Sequence, residues 1–250
     1  LMVTLPYKNS GQGKKGQVEE MFDNISSKYD LLNHLLSANI DKIWRKNAIK
    51  KLQVFNPHRI LDVATGTGDF AIAASMLPDV SIVGVDISSG MLKVGNDKIS
   101  KKGLTSRIEL VKADSENLPF EDSYFDAVTV GFGVRNFENL EIGLKEILRV
   151  IKPGGNLMVL EFSKPQQFPF KQIYQFYFSK ILPFVGRNIS KDARAYTYLP
   201  ESVNEFPDGK EFLSILNGVG FENSISFRQT FGVATIYQAA KPKFIQEKEQ

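Results

Sequence analysis

Three short blocks of this 250-residue chain hold side chains whose types and spacing can do chemistry. Leu61-Asp62-Val63-Ala64, an apolar run, leads into Thr65-Gly66-Thr67-Gly68-Asp69 and then a helical pattern. Glycines in that setting let the backbone approach a ligand at a helix N-terminus. A second run ends in Asp86, where a carboxylate can accept hydrogen bonds from both hydroxyls of a ribose at the switch point of a doubly wound sheet. A third ends in Ala113-Asp114-Ser115, which offers a carboxylate for an exocyclic amine and a backbone N–H for a ring nitrogen. Ile87, Met91 and Leu118 can sandwich a base between them. Together the blocks predict a nucleoside site.

Gly66, Gly68 and Ala71 also satisfy the relaxed dinucleotide pattern G-x-G-x-x-A, so glycine spacing alone does not separate NAD from S-adenosylmethionine. Charge separates them better. A pyrophosphate wants no carboxylate against the loop, whereas Asp62 can offset the ammonium of the methyl donor, and it favours that ligand. Plainer readings stand beside these: Asp62 as an acid that orders its own loop, and the two glycines as a tight turn of any α/β protein. Beyond the fourth apolar run, Arg135 and Asn136 fall where such sheets present catalytic groups. A salt bridge from Arg135 to an acid such as Glu161 is the structural alternative.

The elements that must carry these residues follow from periodicity. From Gln17 to Leu52 apolar residues recur at helical spacing, predicting two or three amphipathic helices. From Arg59 the texture changes to β-branched runs at 60–64, 81–87, 108–113, 125–130 and 156–162, alternating with helical patterns near 69–77, 91–102 and 141–151. That alternation predicts βαβ units and a parallel sheet. Two further runs, 221–227 and 233–240, are close enough to form an antiparallel hairpin on its edge. The expectation is a Rossmann-like α/β fold with a seven-stranded, mostly parallel sheet. Residues 1–16 read as a flexible arm, 17–243 as one domain with a helical cap (17–56) and a helical insertion (165–200), and 244–250 as a flexible tail.

Composition narrows the classes. With 42% hydrophobic residues the chain can bury a sizeable core. Its 31 basic and 28 acidic residues leave a formal charge of +3, and no basic stripe calls for nucleic acid. The absence of cysteine removes thiolate zinc sites and cysteine nucleophiles, and with two histidines, His34 and His58, no metal site is expected. There is no run of eighteen apolar residues and no signal-peptide pattern. Aromatic residues crowd one stretch: Phe168, Phe170, Tyr174, Phe176, Tyr177, Phe178 and Phe184. They suit either a packed lid or a face against a lipid tail.

These blocks resemble the class I S-adenosylmethionine-dependent methyltransferases, and the rest of the chain is similar to the menaquinone and ubiquinone biosynthesis C-methyltransferases. The resemblance is carried by Arg149-Val150-Ile151-Lys152-Pro153-Gly154-Gly155-Asn156-Leu157, by Val159-Leu160-Glu161-Phe162-Ser163, and by Phe132-Gly133-Val134-Arg135-Asn136. Tyr29-Asp30, Asn33, Ser37 and Trp44 match as well, as do Tyr196, Tyr198-Leu199 and Glu201-Ser202. Leu32 and Asp41 depart from the family's usual Met and His. Gly131 replaces a Ser found in some members, which leans toward a menaquinone-only enzyme.

The resemblance implies methyl transfer from S-adenosylmethionine to a ring carbon of demethylmenaquinol, with cofactor contacts at Thr67, Asp86, Asp114 and Ser115. It assigns activation of the substrate hydroxyl to Arg135, Asn136 and Tyr29. It also implies a lipophilic polyprenyl quinol as partner, a cytoplasmic protein with access to the inner membrane face, and compatibility with a homodimer. A polyprenyl benzoquinol substrate, a nicotinamide oxidoreductase and a non-catalytic module are the alternatives.

Overall fold

The computed structural model describes residues 4–7, 10–37, 39–181 and 194–243. Helices α1 (Lys14–Leu36) and α2 (Ile40–Gln53) precede the sheet. Then come β1 (Arg59–Val63), α3 (Asp69–Ala74), β2 (Ser81–Asp86), α4 (Ser89–Lys101), β3 (Ile108–Lys112), β4 (Phe125–Gly131), α5 (Leu140–Val150) and β5 (Ile151–Phe162). The chain continues through α6 (Phe170–Phe176), α7 (Arg194–Glu205), α8 (Lys210–Val219), β6 (Glu222–Gln229) and β7 (Ala234–Ala240).

The sheet order is β3-β2-β1-β4-β5-β7-β6, with β1 to β5 parallel and β7 antiparallel to both β5 and β6. From β1 the chain winds outward to β3 and then returns to place β4 on β1's other side. The crevice beyond the C-terminal ends of β1 and β4 is therefore the topological switch point, where open α/β sheets bind ligands.

Strict alternation along each strand supplies two cores. Leu61, Val63, Val128, Val130, Leu157, Val159 and Tyr237 face α5 and α8, where Leu144, Ile147, Phe212 and Leu216 meet them. Their neighbours Ile60, Ala127, Met158, Leu160 and Ile236 face the opposite side, against Trp44, Ala48 and Leu52 of α2 and Phe70, Ala71 and Ala74 of α3. A third cluster joins α1 (Val18, Met21, Ile25) to Met91 of α4 and to Ala195 and Tyr198 of α7.

The expected strands and the terminal hairpin are all present. Strand β5 starts at Ile151, earlier than the expected 156, because a bulge lets Ile151 pair with Phe125 before Asn156 pairs with Ala127. Gly154 (φ 78) and Gly155 make that bulge feasible, since a Cβ at Gly155 would lie 2.6 Å from the Asp126 carbonyl oxygen. The segment expected to be a flexible arm is in part ordered by specific bonds: α1 begins at Lys14, the Tyr7 N–H donates to Gln17 Oε1 at 2.8 Å, and Arg194 donates to the carbonyls of Leu5 and Pro6. The expected tail at 244–250 and Phe184 lie outside the described residues. Of the expected insertion, α6 and the π-helical turn Tyr177–Ile181 pack by stacking Phe170 on Phe231 (3.8 Å between ring centroids) and by setting Phe178 against Phe162 of β5 (6.4 Å). Helix α7 runs past 200 to Glu205.

Candidate active site

The loop after β1 is bent by three left-handed residues, Ala64 (φ 52), Gly66 (φ 56) and Gly68 (φ 79). Such a conformation disfavours a residue with a Cβ, so Ala64 is held there by its surroundings. Asp62 lies beneath this loop and off the cavity wall. It is fully buried and accepts hydrogen bonds from Thr65 Oγ1 and Thr129 Oγ1, both at 2.6 Å, joining the ends of β1 and β4. Burial raises its pKa to about 6, against the pull of both hydroxyls. Asp62 is absent from the cavity lining, and its carboxylate bridges Thr65 and Thr129 beneath the loop, so the structure places it behind the ligand wall rather than on it.

Asp86, at the tip of β2, does line the crevice. Its Oδ2 accepts the Gly66 N–H at 2.8 Å and its Oδ1 the Ser88 N–H at 2.9 Å, which fixes the carboxylate and leaves lone pairs for ribose hydroxyls. Burial raises this pKa too, to about 6. Gly66, Ile87, Met91, Asp114 and Ser115 share the same wall, as the sequence predicts, while Leu118 is buried away from it. Asp114 Oδ1 accepts the Glu116 N–H, and Oδ2 is paired with Lys15 Nζ at 2.6 Å. Thr67 and Gly68 are not on the wall. Thr67 Oγ1 donates to Asp30 at 2.5 Å, and Lys98 Nζ ties Asp30 to Asp69 at 2.6 and 2.7 Å, so this part of the loop anchors α1 to α3 and α4. Gly68 caps α3.

A second, larger cavity of about 400 Å³ adjoins the first, and Phe22, Tyr29 and Phe132 line both. Its walls are mostly aromatic and aliphatic: Trp44, Phe162, Phe170, Ile173, Tyr174, Phe178 and Leu199 among them. Arg135 lies in this wall, 7% exposed, with Nη1 at 2.7 Å from Oε1 of the fully buried Glu161 and also bonded to the Phe132 carbonyl. The salt-bridge reading of Arg135 is thus present in the structure, and it coexists with a place on the cavity wall. Asn136 lines the smaller cavity and accepts a hydrogen bond from Tyr198 Oη at 3.1 Å. The side chain of His34 lies outside the described residues.

Two contributors escape a reading of the sequence. Lys14 donates to the carbonyls of Arg135 (3.1 Å) and Phe137 (2.8 Å), clamping the Val134–Asn136 turn, and Lys15 meets Asp114. Both precede the apolar periodicity and read as arm. The hint was two lysines at a helix N-terminus, where a cation opposes the helix dipole unless acceptors offset it. Burial lowers the Lys14 pKa.

A doubly wound sheet with a reversed final hairpin and a nucleoside crevice at its switch point defines the fold of the S-adenosylmethionine-dependent methyltransferases. Two solved structures so described share it: one from Thermotoga maritima, with TM-score 0.63 and 18% identity, covers 89% of this chain and 99% of its own. The other, from Methanococcus maripaludis, has TM-score 0.61 and 22% identity over 96% and 99%. The chain belongs to the ubiE/COQ5 methyltransferase family, whose sequence profile matches residues 10–241. The demethylmenaquinone methyltransferase of Bacteroides fragilis is 48% identical over 237 residues, 94% of this chain and 96% of that protein. That of Porphyromonas gingivalis is 46% identical over 91% and 94%. The ubiquinone/menaquinone biosynthesis C-methyltransferase of Geobacter sulfurreducens is 47% identical over 91% and 90%. Family membership sets aside the nicotinamide oxidoreductase.

The loops after β1 and β4 touch so closely that a Cβ at Gly133 would stand 2.5 Å from Ala64 Cβ. Gly133→Ala is expected to cost about 1–3 kcal/mol in urea unfolding, since neither loop has room to retreat. An unchanged midpoint would mean that the two loops are not in fixed contact.

Proposed function

We propose that this chain transfers the methyl group of S-adenosylmethionine to a ring carbon of demethylmenaquinol, giving menaquinol. The observation that carries the reading is the shared wall of Phe22, Tyr29 and Phe132 between a nucleoside crevice and an apolar cavity with a guanidinium in it. Two reactants of opposite polarity can meet there. The names of the relatives supply the substrate class.

The crevice fits the methyl donor by its own donor set. Asp86 takes the ribose hydroxyls, Ile87 and Met91 cover the base, and Asp114 and Ser115 sit at the base's edge. Thr67, Gly68 and Asp62 support the loop from behind. The bound donor supplies an electrophilic methyl group on sulfonium. Ring carbon is a weak nucleophile until the neighbouring hydroxyl loses its proton and pushes electron density onto it. The carbon would then form the new C–C bond as the S–CH₃ bond breaks, loss of the ring proton would restore aromaticity as the phenolate, and the oxygen would take back one proton to give the diol, a net release of one proton.

Arg135 cannot be the base, because a guanidinium stays protonated at any working pH. Held by Glu161, it stabilises the developing phenolate. Asn136, oriented by Tyr198, positions the hydroxyl or a water beside it, and Tyr29 on the shared wall relays the proton. The apolar walls receive the polyprenyl tail. No helix among the described residues is long and apolar enough to cross a membrane. A peripheral association with the cytoplasmic membrane face, which would let the tail enter from the bilayer, belongs to this reading, and so does room for a homodimer. A naphthoquinol is favoured over a benzoquinol because Gly131 stands where some similar enzymes, chiefly those acting on both quinones, carry a Ser; here a Cβ would press 2.8 Å from Phe70 Cδ1.

Labelled methyl donor, offered with reduced demethylnaphthoquinone and, separately, a reduced benzoquinone, should label the naphthalene ring preferentially; label on neither ring would overturn the reading. Arg135→Met is best made with Glu161→Gln, since a lone buried carboxylate costs several kcal/mol. The pair should lower kcat by about 10²–10³ with cofactor affinity little changed. Asp86 must be ionised to accept two hydroxyls, and its folded pKa is about 6. Affinity for S-adenosylhomocysteine should therefore be full at neutral pH and above, and fall as pH drops through that value, by up to about tenfold per unit. Calorimetry on Asp86→Asn should show weak binding with that pH dependence removed; an unaltered profile would assign the titration elsewhere.

A further inference from the structure

The larger cavity has a second polar pole, opposite in kind to the apolar walls between. Asp41, in the first turn of α2, lines it with its side chain 5% exposed, and Arg45, one turn on, lines it at 10%. Asp41 Oδ1 accepts the Ser37 hydroxyl at 2.6 Å and Oδ2 is bonded to Arg45 Nη1. Arg45 Nη2 turns toward Asp69 Oδ2 at 3.6 Å. Among the described residues lining this cavity, Asp41 is the one carboxylate.

The two poles flank one aromatic platform. Phe132 and Phe162 lie with ring centroids 4.5 Å apart, the Arg45 guanidinium is 6.0 Å from Phe132, and that of Arg135 is 5.5 Å from Phe162. The proposed pose lays a flat ring with oxygens on opposite edges along this platform, one edge toward Arg135 and the other toward the Asp41–Arg45 pair. An ionised carboxylate only accepts hydrogen bonds. A reduced ring presents O–H donors on both edges, whereas an oxidised ring presents carbonyls, which would face Asp41 lone pair to lone pair. The charge of Arg45 is already offset by Asp41 and Asp69, so a carbonyl at this pole gains less from the guanidinium than it loses against the carboxylate.

We propose that Asp41 accepts a hydrogen bond from the second hydroxyl of the quinol and thereby selects the reduced ring over its oxidised form. This rests on the reading of the cavity as a quinol site. A carboxylate held by Arg45 accepts hydrogen bonds and donates none, which a side chain able to do both could not match in selectivity. Asp41 is a specificity residue here and takes no part in the transfer of the methyl group.

Trp44 is the chain's one tryptophan and lines the cavity, so its fluorescence reports occupancy. With S-adenosylhomocysteine bound and oxygen excluded, 1,4-dihydroxynaphthalene should bind at least about tenfold more tightly than 1,4-naphthoquinone. Asp41→Asn, whose amide can donate, should bring the ratio toward one and raise KM for the quinol with a smaller effect on kcat. Because that change leaves Arg45 with Asp69 as its ion-pair partner at 3.6 Å, Asp41→Leu with Arg45→Met supplies a second variant without charge at this pole that should lose the preference as well. A wild-type ratio near one, or a preference that survives in both folded variants, would overturn the proposal. Methyl transfer that proceeds with an Asp41-independent preference overturns this proposal alone, whereas a wild-type protein that labels neither ring overturns the functional reading beneath it.

Discussion

A guanidinium in an apolar wall needs a carboxylate behind it, and Glu161 meets that need from a position with no exposure at all. Burial raises the Glu161 pKa, and the Arg135 charge beside it pulls the other way. Each group would be costly alone, so the pair is locked in place. Much of the site hangs on that lock. It fixes the turn that carries Asn136, which in turn receives the Tyr198 hydroxyl from α7. It also leaves one face of the guanidinium toward the cavity, a fixed positive charge in a place where water is scarce and charge acts strongly.

Helix α1 is the element that joins the two cavities. Along its length it places Lys14 on the Arg135 turn, Lys15 on Asp114, Asp23 on Ser88 and Gly90, Tyr29 on the shared wall, and Asp30 in the Lys98 network. Its apolar side packs against Met91 and Tyr198. A single helix therefore contacts Asp114 at the edge of the smaller cavity, the Val134–Asn136 turn and the loop after β1. Disturbing α1 should be felt in both cavities, since Phe22 and Tyr29 line the two of them.

The strand runs, the terminal hairpin and the crevice residues Gly66, Asp86, Asp114 and Ser115 were legible because period-two alternation and loop glycines are local signals. What was not legible is non-local. Nothing near Asp62 in the chain shows that Thr129, 67 residues on, will share its carboxylate and keep it under the loop. The fate of Lys14 and Lys15 depends on carbonyls and acids more than ninety residues away. The early start of β5 required a bulge whose glycines look, in sequence, like a turn before the strand. The pole at Asp41 and Arg45 reads as an ordinary i,i+4 pair on a helix surface, and only the packing of α2 beside Phe132 turns it inward.

The proposed methyl transfer requires that the larger cavity favour a ring oxyanion beside Arg135. The direct measurement is the ionisation of 1-naphthol bound to the S-adenosylhomocysteine complex, followed by absorbance as pH is varied. The bound naphthol should ionise at least about one pH unit below the same naphthol in buffer, as expected for an acid beside a fixed guanidinium. A bound pKa equal to or above the free value would contradict the account, because the cavity would then act on the ring as plain apolar surroundings.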